Sequence, residues 1–172
     1  MKQVALVSLM LCVLIALAAS ASFAGGTRIG AGAHYWKTLD KIELEEIEES
    51  GISWIASFQF GSSSLLKFQA DVEIFPEKFA GFKEVAYAPQ AFIILGRAIY
   101  GGAGIGTYYI DGEFADKPFY LLRAGLDLEL MPTLYLDLNA NYRFEDWDKP
   151  EDIIEDIDTD VITLGAAVRI AF

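Results

Sequence analysis

The 172-residue chain holds one cysteine, one histidine and only 13 basic residues against 25 acidic ones. Each shortage closes off a class of function. The cysteine, Cys12, lies in the leading apolar segment behind Leu11, where a lipoprotein site would want a small residue. The rest of the chain has no thiol, which excludes disulfides, thiolate metal sites and a cysteine nucleophile. The shortage of Lys and Arg argues against nucleic acid, whose phosphates so acidic a chain would repel. Beyond the leading segment, no stretch reaches the ~20 consecutive apolar residues that a membrane-spanning helix needs.

The leading segment has its own reading. Lys2 precedes an apolar run from Val4 to Ala19, followed by small residues and Ser22-Phe23-Ala24. This is the pattern of a secretory signal over residues 1–24, cleaved after Ala24. Residues 25–172 then form one domain, with 12 basic and 25 acidic residues and a net charge of −13. A hydrophobic fraction of 53% is high for so acidic a chain. Much of that excess sits in alternating segments.

The clearest of these is the last. Ile162, Leu164, Ala166, Val168 and Ile170 face one way, whereas Thr163, Gly165, Ala167, Arg169 and Ala171 face the other. Alternation with period two marks a strand with one apolar face. The same pattern runs through Arg28–Lys37, Ile52–Phe60, Leu66–Ile74, Leu122–Leu130 and Leu134–Arg143. Two segments are less regular. Val85–Tyr100 places Arg97 in phase with Ile93 and Leu95, which a bulge or Pro89 would explain; Gly102–Ile110 is rich in glycine. Eight strands result, and the expected fold is an all-β, eight-stranded antiparallel up-and-down transmembrane barrel with a polar, side-chain-filled lumen.

The connections alternate in kind, as they do in barrels of an asymmetric membrane. Gly61–Ser64, Tyr100–Gly102 and Met131–Thr133 are short and uncharged. Thr38–Gly51, Pro76–Glu84, Asp111–Pro118 and Glu145–Asp160 are longer; with Lys37 they hold 20 acidic and 6 basic residues, against 5 acidic and 6 basic on the strands. Short turns are assigned to the periplasm and long acidic loops to the outside. A soluble lipocalin-type barrel has the same alternation with its faces reversed. Three features favour the membrane: aliphatic mid-strand residues, the terminal Phe172, and aromatics at the strand ends as expected for interfacial girdles, among them Tyr35, Trp54, Phe60, Phe75, Tyr100, Tyr109, Tyr120, Tyr142 and Phe144. An eight-stranded barrel has an interior that side chains just fill. The expected lumen set is Arg28, His34, Lys67, Gln69, Asp71, Glu73, Arg123, Asp127, Glu129, Asp137, Asn139, Asn141, Arg143 and Arg169, with Arg97 if the fourth strand is re-phased. Charges so nearly balanced are expected to pair.

The terminal Arg169-Ile-Ala-Phe172, the glycine-rich Tyr100–Tyr108 and the hairpin Gly125–Leu138 resemble the outer-membrane β-barrel domain family, the small eight-stranded group of OmpX-like proteins and the OmpA transmembrane domain. The resemblance covers residues 25–172. It implies a bacterial outer-membrane location, with outer-membrane lipids and lipopolysaccharide as surroundings and recognition of the C-terminal strand by the barrel-assembly machinery. It carries no shared catalytic residues, so it specifies architecture rather than activity.

No residue is assigned a catalytic, cofactor-binding or metal-binding role, and no cofactor is expected. A serine hydrolase would need His34 together with Ser53 or Ser57 and an acid; neither serine lies in a recognisable motif, and a lumen histidine satisfied by a carboxylate is the simpler reading. Asp156-Ile-Asp-Thr-Asp160 has the alternate carboxylates of a calcium loop, but Val161 and Ala167 stand where the EF-hand pattern wants Gly and Glu. Loose divalent-cation binding at the acidic loops stays open, with a solvated loop as the default. The Gly102–Gly106 fragment has no following helix and makes no phosphate cradle. The expected function is a non-enzymatic integral outer-membrane protein with a structural or surface-interaction role. The alternatives are a narrow conduit for ions or small hydrophobic molecules and, behind it, a lipid-modifying enzyme.

Overall fold

The computed structural model describes residues 26–38, 50–61, 65–77, 79, 84–144 and 161–172. The expected signal segment, the calcium-like Asp156–Asp160 stretch and most of the first and last long loops lie outside the described residues. Ten strands follow one another: β1 (Thr27–Thr38), β2 (Ser50–Gly61), β3 (Leu66–Phe75), β4 (Ala86–Gly96), β5 (Ile99–Gly106), β6 (Tyr109–Ile110), β7 (Glu113–Phe114), β8 (Phe119–Met131), β9 (Leu134–Phe144) and β10 (Val161–Ala171). Eight of them form a ring in the order β3, β2, β1, β10, β9, β8, β5, β4, and β3 pairs with β4 to close it. Closure satisfies the backbone, because an open edge in hydrocarbon would leave N–H and C=O groups unpaired at several kcal/mol each.

The two-residue alternation decides which side chains face out. On β2, Ile52 and Trp54 are 58% and 65% exposed, while Ser53 between them is fully buried. On β10, Leu164, Val168 and Ile170 are exposed, while Thr163 and Arg169 are buried. Apolar side chains thus cover the outside and charged ones line the inside, the reverse of a soluble barrel. The medium that suits such an exterior is hydrocarbon.

The structure corrects the fourth and fifth strands. β4 ends at Gly96, whose φ of 127° lies where side-chain-bearing residues are strained, and the chain turns at Arg97 and Ala98. The expected turn at Tyr100–Gly102 is therefore strand, and Arg97 is exposed in the turn rather than lumen-facing. Beyond β5, β6 and β7 form a small hairpin tied to β4 through Tyr87 and Tyr109. Its two turn residues, Asp111 and Gly112, both have positive φ, the two-residue geometry that matches the twist of the flanking strands. Glu129 is a second correction: the β8–β9 register shifts between Glu129 and Met131, and Glu129 is exposed.

Candidate functional site: the barrel lumen

Inward positions from all eight ring strands meet in one interior, and the structure buries there nearly the whole expected polar set. His34, Lys67, Gln69, Asp71, Glu73, Arg123, Asp127, Asp137, Asn139, Asn141, Arg143 and Arg169 are buried, and Arg28 is partly so. At the turn end, Arg28 Nη1 and Lys67 Nζ both donate to Asp127 Oδ2, at 2.6 and 2.7 Å. The Arg28 guanidinium also covers the Tyr135 ring at 3.6 Å. One layer in, Arg169 Nη2 pairs with Asp137 Oδ2 at 2.9 Å, and the Tyr100 hydroxyl donates to the other Asp137 oxygen. Tyr100 thus belongs to the lumen and not to the girdle.

At mid-depth, Arg123 Nη1 pairs with Asp71 Oδ2 at 2.8 Å, its Nε donates to Asn141 Oδ1, and its guanidinium lies 3.8 Å over Phe92. Gln69 Nε2 donates to Asp71. Nearer the loops, Glu73 gathers four partners. Arg143 Nη2 and Gln90 Nε2 reach Oε2, both at 2.9 Å, while Ser53 Oγ donates to Oε1 at 2.6 Å and His34 Nδ1 lies 2.9 Å from the same oxygen. A carboxylate only accepts, so Nδ1 is the donor of this pair.

The pairing expected from charge balance is present, residue by residue, and the partners come from strands far apart in sequence. Every lumen cation named here also has a second polar partner or an aromatic face, although Arg123 Nη2, Arg143 Nε and Arg169 Nη1 have no hydrogen-bond partner of their own; attraction to a ring strengthens where water is excluded. Sequence reasoning missed Gln90, Tyr100 and Thr163, and it set Phe75 among the girdle aromatics. Phe75 is fully buried; it shares the parity of Asp71 and Glu73, a signal that outranked its place at the strand end. Thr163 accepts from Asn141 Nδ2 at 2.8 Å.

Ser53, His34 and Glu73 do come together, which bears on the hydrolase reading. The Ser53 hydroxyl donates to Glu73, not to an imidazole nitrogen, and none of the three is more than 1% exposed. A serine nucleophile is activated through an imidazole and must be open to substrate; this hydroxyl is fully buried and its hydrogen bond goes to the Glu73 carboxylate. The His34 ring instead packs on Gly165 of β10, where an added Cβ would overlap ring atom Cδ2. Swinging clear would cost the ring its contact with Glu73. Gly165→Ala is expected to lower unfolding stability by about 1–3 kcal/mol, and His34→Ala in the same chain to recover part of that loss. Equal stability of Gly165→Ala and the parent in urea titrations would show the ring free to move.

A closed ring of eight antiparallel strands, apolar outside and ion-paired inside, defines the small transmembrane β-barrel class. No family model matches the sequence, and no curated protein is a significant relative of it. Among solved structures, the chain is similar to Neisserial surface protein A, NspA, with a TM-score of 0.61 at 18% identity over 85% of this chain and 97% of that one. It is also similar to the N-terminal β-barrel domain of Pseudomonas aeruginosa OprF, with a TM-score of 0.56 at 10% identity over 87% of this chain and all of that one. The fold is that of the small eight-stranded outer-membrane barrels.

Proposed function

We propose that the chain is an integral outer-membrane protein whose role is structural or surface-interacting, neither enzyme nor open channel. The observation that carries this reading is the state of the lumen: Asp71, Glu73, Asp127 and Asp137 each hold a cation within 2.9 Å. A conduit for ions needs hydrated space or unpaired charge along its path, and these side chains occupy that space with one another. The apolar belt supports outer-membrane lipid and lipopolysaccharide as its surroundings. A strand that closes the ring against β1 is what an assembly machinery recognising the C-terminal strand would deliver.

The surface role falls to the loop end. Long loops outside, short turns in the periplasm and an acidic exterior fit a face that meets divalent cations, lipopolysaccharide or another surface. In the described part of that rim, Glu77, Glu84 and Asp111 line an open cleft together with Tyr87 and Tyr109. Purified protein in planar bilayers is expected to give no steady porin-like conductance, and the chain is expected to fractionate with the outer membrane. Stable wild-type conductance, or recovery of the chain in the cytosol, overturns the proposal.

A further inference from the structure

Among the described residues, ion pairs fill the lumen as far as the Glu73 layer. Toward the loops the interior changes character: Trp36 of β1, Phe75 of β3, Tyr108, and Phe119 and Leu121 of β8 are all buried. Phe79, from the connection between β3 and β4, adds another buried ring. It stacks on Phe75 at 3.9 Å, meets Trp36 edge-on at 4.7 Å and lies 6.1 Å from Tyr108, which in turn lies 4.7 Å from Phe119. These rings form a continuous layer across the barrel, from β1 to β8.

We propose that this aromatic layer is a second seal of the lumen, different in kind from the ion pairs. An ion reaching it from the loop side would have to shed its hydration against ring faces, and apolar constrictions block passage by dewetting. Arg143 joins the two barriers. Its guanidinium lies 4.3 Å from Phe119, 4.9 Å from Phe75 and 5.4 Å from Tyr108. Its Nη1 donates to the Tyr108 hydroxyl at 2.8 Å and its Nη2 to Glu73 at 2.9 Å. Attraction between a cation and ring faces, like an ion pair, is strongest when water is kept away. The aromatic layer therefore protects the pairing beneath it. The inference rests on the closed-lumen reading above and adds which side chains close the loop end.

Trp36 is the reporter. The chain has three tryptophans, so replacing Trp54 and Trp147 by Phe leaves Trp36 alone in protein reconstituted into phosphatidylcholine vesicles. Iodide, which does not cross lipid, is expected to quench this parent hardly at all and to quench it several-fold more after Phe79→Ala or Phe75→Ala. Phe79→Leu, which keeps an apolar side chain in place, is expected to stay protected. Heat-modifiable migration on gels selects folded protein for each variant.

Free quenching of Trp36 in the parent, or protection unchanged by both ring truncations, overturns the seal even if wild-type protein is non-conducting. Conductance from wild-type protein overturns the closed-lumen reading itself. Should the truncated variants fail to fold, the quenching of the parent still decides whether the layer excludes ions.

Discussion

Glu73→Leu is expected to destabilise the barrel by about 3–5 kcal/mol, the loss typical of stripping one partner from a buried ion pair. The substitution leaves the Arg143 charge buried without its carboxylate and removes the acceptor used by Ser53, Gln90 and His34 at once. Adding Arg143→Met removes the stranded cation, so the double variant should lose less than the two single losses added together. Reversible unfolding in urea from lipid bilayers, analysed as a double-mutant cycle, checks this. Strict additivity would mean that Glu73 and Arg143 do not act as a unit.

The exterior has its own large effect. Leu126→Arg places a charge on the outward face of β8, where Leu126 is 40% exposed and pairs with Leu138 and Ile99. The expected cost is about 2–4 kcal/mol if it lies near the bilayer midplane, falling to about 0–1 near an interface. Leu130→Arg, at the register shift near the turn end, is the matching interfacial control. Equal losses for the two would place the belt elsewhere on the barrel.

Much of this architecture was legible because a strand's two faces differ by one residue of parity, and parity survives without any knowledge of neighbours. Leu66 to Ile74 announced both a lipid face and a lumen face, and the structure buries Lys67, Gln69, Asp71 and Glu73 accordingly. Parity fails where the backbone breaks phase. The turn begun at Gly96 and the register shift after Glu129 depend on φ and on hydrogen-bond registration, which a list of apolar positions does not carry. Ion-pair partners were illegible for another reason. Arg123 meets Asp71 and Arg143 meets Glu73 because the stagger of the whole ring brings them to one depth. The aromatic interior at the loop end escaped notice because Phe75 was read by its place at a strand end, although its parity already pointed inward.

The seam between β1 and β10 aligns Arg28 with Ala171 and Thr38 with Val161, contacts that only the last strand can complete. Contacts this distant along the chain form slowly, because the intervening loop must first surrender its freedom. Until β10 docks, one edge of β1 has no partner, and Asp137 has no Arg169 to meet it. A chain that entered hydrocarbon hairpin by hairpin would carry uncompensated charge and an unpaired edge with it, each a penalty of several kcal/mol. On these energetics insertion is expected to be coupled to closure, with a chain that lacks β10 held as an open, hydrated sheet at the membrane surface.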